Sequence, residues 1–402
     1  MPPPQEHDVP LNIAVVAACP FPASRGTPIR IQRLAEAMAA RRHRVHVVTY
    51  HYGSGEADPE LTVHRIGRVG TYRRLAPGPT YIKLALLDPL LTIKLRQVLR
   101  RYPIDVIHAH HFEGLLVGQA ARIGTRIPLV FDAHTLLTSE LPLYRLGLPI
   151  RAKRFIAAAF DLRLPVLGDH VVTVTERIRD RLLERHPMWA DKISVIQNGA
   201  DLHLFPSVGG KTRGAAASPT LIFTGNLAAY QGIDLLLQAF RRVLDARADV
   251  RLKIVTDSSF DQYEARAREL GIRSAIDVLQ TPFREIPQQL ADATLALNPR
   301  TDCDGIPVKL LNYMAARKPV VSFAGCAPGI RHRETAWLVP DGDVEAFAAG
   351  ALTLIENTEL ADALGTSARR FVEAHHSWDH SAEKLEHIFR RLVERAGQVG
   401  RS

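Results

Sequence analysis

Short apolar runs, each ending in polar or glycine-containing residues and each followed by a helical pattern, recur along almost the whole chain. Asn12-Ile13-Ala14-Val15-Val16 is apolar on both faces, as a strand inside a parallel sheet must be. A loop containing Gly26 follows, then Thr27-Pro28, an N-cap and first-turn pair that opens a helix. Val45-His46-Val47-Val48-Thr49 is the next strand, so the chain begins as a βαβ unit. Asp105-Val106-Ile107-His108-Ala109-His110-His111 is another, and alternation puts His108 and His110 on one face and His111 on the other. Val130-Phe131-Asp132-Ala133-His134-Thr135 again ends in polar groups, and Asn198-Gly199 marks a reversal after Val195-Ile196.

Residues 206–219 carry no apolar periodicity and read as a linker. Beyond it, Leu221-Ile222-Phe223-Thr224-Gly225-Asn226 is a strand, and Tyr230-Gln231-Gly232-Ile233-Asp234 leads into an amphipathic helix through Leu235, Leu236, Ala239 and Phe240. Strands near Leu221, Leu252, Ile276, Leu295 and Val320 alternate with helices, which predicts a second doubly wound α/β sheet. A chain of 402 residues exceeds what one hydrophobic core usually supports. The expected division is 1–205, the linker 206–219, a second domain over 220–375 and a terminal helical segment over 376–402. No internal repeat is present.

The stretch from Asn298 to Val321 carries the most chemistry. The strand ends at Leu297, Asp304-Gly305 is turn chemistry, and Pro307 suits the first turn of a helix expected to run to about Arg317, before Pro319. Free amides and the positive dipole end at such a helix start favour a phosphate or diphosphate. Asp304 beside them can accept hydrogen bonds from sugar hydroxyls. The plainer reading is an ordinary strand–turn–helix unit of an α/β protein.

This segment resembles the signature of the retaining glycosyltransferases of family 4, which have the GT-B fold: an acid, then Gly-x-Pro, a second acid eight positions after the first, and Pro-Val-Val. Asp304 stands where the first Glu is usual and Asn312 where the second is usual. Other pieces match in the family's order from Asn12 to about Phe389. The resemblance implies two Rossmann-like domains with parallel sheets facing across a cleft, the last helix crossing back to the first domain. It implies that Gly26 lets the backbone approach the donor diphosphate, that His134 and Asp304 orient the donor sugar as the catalytic pair, and that Asn312 bonds the ribose. The amides of Gly305, Ile306 and Val308, with Lys309, would hold the diphosphate. The family commonly carries an Arg near Asn226 and a Lys near Gln231; here both cations are absent, and Asn226 and Gln231 are themselves the donor-site candidates. Arg25, Arg30, His110, His111 and Arg300 are the acceptor or phosphate candidates.

The implied activity is transfer of a hexose from a UDP-, GDP- or ADP-sugar to an acceptor hydroxyl, lipid-linked or on a polysaccharide, with no cofactor and no metal. A sugar-nucleotide-binding relative with weakened turnover, or a 2-epimerase of the same fold, are the alternatives. Asp302-Cys303-Asp304 matches an Asp-x-Asp metal pattern, but chance alone yields about four acid-x-acid triplets in such a chain. Near the histidines of 108–111 no further zinc ligand stands at suitable spacing. Gly210-Lys211-Thr212 follows no strand, so it is not a P-loop, and no G-x-G-x-x-G follows the first strand, which argues against a dehydrogenase.

Charge separates the halves. Residues 1–200 hold 27 Lys+Arg against 17 Asp+Glu, or +10, and residues 201–402 hold 24 against 25, or −1, which sums to the net +9. Between Arg65 and Arg101 the only acid is Asp88, and basic residues interleave with Tyr81-Ile82, Leu84-Ala85-Leu86-Leu87 and Leu90-Leu91. Arg151, Lys153 and Arg154 with Phe155-Ile156 form a second such cluster. These suit an anionic membrane surface, or else solvated helices whose leucines face the core. No nucleic-acid-binding pattern accompanies the charge, so nucleic acid is not an expected partner. The first residues lack a signal-peptide pattern, no apolar run reaches a membrane span, and Cys19, Cys303 and Cys326 read as reduced thiols; the expected location is the cytoplasm, peripheral to the inner face of the membrane.

Overall fold

The computed structural model describes residues 9–23, 26–73, 80–143, 147–205, 218–281, 285–303 and 305–399. The chain forms two units, Met1–Gln197 with Trp378–Ser402, and Asn198–Ser377. The expected end of the first domain at 205 therefore falls inside the second unit, and residues 206–217 of the expected linker lie outside the described residues.

The first unit runs β1 (Asn12–Ala17), α1 (Gly26–Ala40), β2 (Arg44–Thr49), β3 (Thr62–Arg65), α2 (Asp88–Arg101), β4 (Val106–His110), α3 (His111–Ala121), β5 (Leu129–Ala133), α4 (Leu137–Glu140), α5 (Ile150–Arg163), β6 (His170–Thr173), α6 (Glu176–Arg185) and β7 (Ile193–Val195). Its sheet has the order β3-β2-β1-β4-β5-β6-β7, parallel throughout. Alternation along β1 builds two cores. Ala14 and Val16 pack with Leu91, Leu95 and Val98 of α2 on one face, and Ile13, Val15 and Ala17 pack with Ile31, Leu34 and Met38 of α1 on the other. The chain's last helix covers that second face with Leu385, Ile388, Phe389 and Leu392.

The second unit runs β8 (Thr220–Thr224), α7 (Ile233–Ala246), β9 (Arg251–Val255), α8 (Asp261–Glu269), β10 (Ile276–Leu279), α9 (Ile286–Asp292), β11 (Leu295–Asn298), α10 (Val308–Ala315), β12 (Val320–Phe323), β13 (Trp337–Val339), α11 (Val344–Glu356) and α12 (Thr358–His375), before α13 (Trp378–Val399) returns to the first unit. Its sheet, β10-β9-β8-β11-β12-β13, repeats the same winding. Both sheets thus reverse strand order beside their first strand, the place where open α/β sheets expose loops for ligands.

The strands expected in the second half are all present, and β3, β6, β7 and β13 are additional. Pro307 is the N-cap of α10, not part of its first turn, and the helix stops at Ala315 because Arg317 takes a left-handed φ of 57°. The reading of three reduced thiols is corrected for two of them. β11 and β12 are neighbouring parallel strands, so the loops past their ends meet, and Cys303 pairs with Cys326 at a Cα separation of 5.2 Å. Cys19 stays free, its thiol pushed up to about 12 by burial. Among the described residues no helix is long and apolar enough to cross a membrane.

Candidate functional site

In the first unit, β4 and β5 set His110 opposite Asp132, and β1 sets Ala17 opposite His110, so the polar ends of these runs converge at the switch point. Asp132 is fully buried and receives both Nε and Nη2 of Arg30, the latter at 3.0 Å. Arg30 also donates to the Ile196 carbonyl at 2.9 Å. The same carboxylate lies 3.3 Å from His108 Nε2, 3.7 Å from His110 Nδ1 and 3.6 Å from His134 Nε2. His110 Nδ1 and His134 Nε2 share a hydrogen bond of 2.9 Å.

His111 departs from the expected alternation. The strand stops at His110, and His111 takes a φ of 59° and begins α3 instead of pointing to the opposite face. A left-handed conformation is uncommon for a residue with a side chain, and it persists where surroundings fix it. Here Thr27 Oγ1, one residue beyond Gly26, bonds His111 Nε2 at 2.8 Å, and the His111 ring stacks on His134 at 4.5 Å.

Burial alone would raise the Asp132 carboxyl, but Arg30, with His108 and His110, holds it well below the carboxylate range. Burial, then the neighbouring charges, holds His110 and His134 well below 6.5, so both are neutral imidazoles at neutral pH. In the His110–His134 bond one ring donates and the other accepts. His108, His110 and Asp132 also offer ligand atoms within 4.8 Å of one another, a third partner that local spacing did not reveal. A guanidinium already bonded to this carboxylate opposes a second cation there.

In the second unit the residues that replace the expected cations join a third. Lys309 Nζ donates to Gln231 Oε1 at 2.6 Å, and Gln231 Nε2 donates to Asn226 Oδ1 at 3.3 Å. Asn226 Nδ2 donates to the Tyr230 hydroxyl at 3.1 Å, and the Arg300 guanidinium lies 4.9 Å from the Tyr230 ring centre. Lys309 Nζ sits 4.1 Å from the Phe223 ring centre, and burial, then the charge of Arg300, holds its pKa well below 10.5. Such a cation gains most from an anion brought beside it. Lys309 belongs to the first turn of α10, whose Pro307 start has no side-chain cap. One turn further, Asn312 is buried with its Oδ1 lacking a hydrogen-bond partner among the described residues.

The structure thus gathers Gly26, Arg30, His110, His111 and His134 in one unit, and Asn226, Gln231, Arg300, Lys309 and Asn312 in the other. Gly305 and Ile306 lead into α10 and Val308 begins it. Asp304 and Arg25 lie outside the described residues. Arg30 is corrected as a phosphate candidate: it is 1% exposed and directed at Asp132. Asp132 and His108 were missed as members of the cluster. The available signal was a carboxylate inside the apolar run Val130-Phe131-Asp132-Ala133, because a buried charge needs a partner.

Two doubly wound parallel sheets of this kind, each with polar loops at its switch point, are the architecture of the GT-B fold. The likeness covers 96% of this chain and 100% of sucrose-phosphate synthase from Thermosynechococcus elongatus, with a TM-score of 0.79 at 19% identity. It covers 94% of this chain and 99% of Anabaena HepE solved with UDP and glucose, with a TM-score of 0.72 at 19% identity. Residues 24–204 match the family model described as Glycosyltransferase Family 4, and residues 218–357 match the one described as Glycosyl transferases group 1. The chain belongs to this family-4, group-1 class of glycosyltransferases. The exopolysaccharide phosphotransferase of Streptomyces coelicolor is 28% identical over 238 residues, which are 58% of this chain and 24% of that protein.

Proposed function

We propose that this protein is a retaining glycosyltransferase that moves a hexose from a nucleoside-diphosphate sugar to an acceptor hydroxyl, lipid-linked or on a growing polysaccharide. The observation that carries the reading is Lys309, a half-buried cation on the uncapped first turn of α10 that donates to Gln231, itself anchored on Asn226. A cation of lowered pKa beside free helix amides suits a diphosphate, and no metal is needed to offset its charge. Asn312, with an unpaired amide oxygen on the same helix, is suited to accept from a ribose hydroxyl. In the first unit a Cβ added at Gly26 would meet nothing within 4 Å, which leaves room at the start of α1 for a phosphate to approach. Neutral His134 is in a state to bond the donor sugar, the role the family resemblance also gives to Asp304.

In the proposed step the bond from C1 of the sugar to the diphosphate oxygen breaks and a bond from C1 to the acceptor oxygen forms on the same face. The acceptor proton passes to the departing diphosphate. HepE, whose fold this chain shares, was solved with UDP and glucose, and the Streptomyces relative is named for exopolysaccharide, which supports the donor and acceptor classes.

Thermal shift against a panel of UDP-, GDP- and ADP-sugars tests the reading. A matching donor at 100 times its dissociation constant stabilises the protein by about 2.7 kcal/mol. Lys309→Ala is expected to weaken that donor by about 1.5–3 kcal/mol, the worth of one charge-assisted contact. Product anomers read by NMR should keep the donor configuration. Silence toward every sugar nucleotide, or an unchanged response in Lys309→Ala, refutes it.

A further inference from the structure

The basic, apolar segments of the first unit behave in two ways at once. Leu87, Leu91 and Leu95 do face the core, while Tyr81, Ile82, Leu84 and Leu86, on the helical segment that leads into α2, are exposed. α5 is more pronounced. Its inner side is buried at Ala157 and Asp161, and Ala157 packs with Leu137 and Leu141. Its outer side presents Ile150 at 54%, Phe155 at 77% and Leu162 at 40% exposure, and Val166 just beyond it stands at 58%. Arg151, Arg154 and Arg163 are exposed among them. The one acid between Gly147 and Gly168 is Asp161, which is turned inward to accept from Leu137 N, Thr138 N and Thr138 Oγ1 at 2.7–2.9 Å. Every exposed charge on the helix is therefore positive.

Scattered exposed leucines mean little, but a phenylalanine at this exposure interleaved with arginines and no acid needs an occupant. We infer that the outer side of α5, with the exposed side of the helical segment 81–86, docks on an anionic lipid surface. Aromatic and aliphatic side chains enter the headgroup boundary while arginines reach the lipid phosphates, the pattern of helices that lie in the membrane plane. A second copy of this chain fits poorly, because a two-fold contact would set a purely cationic patch against itself. The docking surface is also connected to the site. Asp161 caps α4, which begins three residues after His134, so a bilayer on α5 would stand close to the loop that carries that histidine.

The test is flotation of the full chain with phosphatidylcholine vesicles made with and without phosphatidylglycerol, at low and high salt. Binding is expected only with the anionic lipid and should weaken with salt. Arg151→Glu/Arg154→Glu should lower vesicle binding by at least about tenfold, since each lost cation near the surface is worth roughly fivefold. Phe155→Ser should lower it at unchanged melting temperature, with Leu162→Ser as the substitute should either variant fail to fold. Sugar-nucleotide binding read on the same preparations stays unchanged, which separates failure of this inference from failure of the donor reading. Absence of binding, equal binding to neutral vesicles, or wild-type binding by the variants overturns it, as does light scattering that shows the patch closing a dimer.

Discussion

At the scale of single residues, Asp132 organises the first unit's cluster, because one carboxylate faces Arg30 and three histidines in a space closed to water. Replacing Asp132 by Asn keeps the shape and leaves Arg30 buried without its counter-charge, so a loss of about 3–5 kcal/mol in urea unfolding is expected at neutral pH. The acid dependence identifies the cause. The folded carboxyl titrates below its ordinary 3.8, so its contribution is present above that value and is lost as pH falls through the lower folded one. The gap between wild type and Asp132→Asn should therefore narrow as pH drops below about 4 and stay flat above it. A gap independent of pH would mean that packing, not charge, carries the effect. The sequence displayed His134 and the histidines of β4 as polar ends of strands. It did not display their mutual arrangement, which depends on the β4–β5 register and on where α1 delivers Arg30.

At the scale of elements, strands that run apolar without interruption were legible, and those that do not were missed. β3 reads Thr-Val-His-Arg and β6 reads His-Val-Val-Thr, each too polar or too short to stand out, and β13 has three residues. Helix ends were less legible still, since α10 stops where Arg317 turns left-handed, a choice made by Gly365 and the strand beyond it as much as by local residues. The turn into α7 shows what the proposed donor loop demands. Gly232 has a φ of 74°, and a Cβ there would run into the Pro299 carbonyl. Gly232→Ala should cost roughly 1–3 kcal/mol and, by pushing the 226–231 loop away from β11, loosen the hold of Gln231 on Lys309. Calorimetry and donor titration check it: the melting temperature should fall and the donor dissociation constant rise together. A fall in stability with unchanged donor affinity would detach this loop from the donor site.

At the scale of the whole molecule, the chain's last helix belongs to its first unit, an arrangement that no local pattern dictates and that the family resemblance suggested. α13 seals the face of the first sheet opposite α2, where Leu385, Ile388, Phe389 and Leu392 are buried. Burying such a side chain is worth about 1.5–3 kcal/mol each, so these four together approach the 5–15 kcal/mol that holds a typical domain folded. Phe389 also lies 5.4 Å from the His108 ring, so α13 forms part of the wall of the histidine cluster. Truncation after Ser377 should therefore unfold the first unit and leave the second folded, since among the described residues its core includes none from α13. Limited proteolysis should then cut within 9–197 while a fragment near 218–377 resists, and the vesicle binding assigned to α5 should weaken as its helical apolar face is lost. If the truncated chain kept a protected first unit, the burial of α13 would be worth far less than its apolar contacts imply, and the sheet would have to be stable with one face open to water.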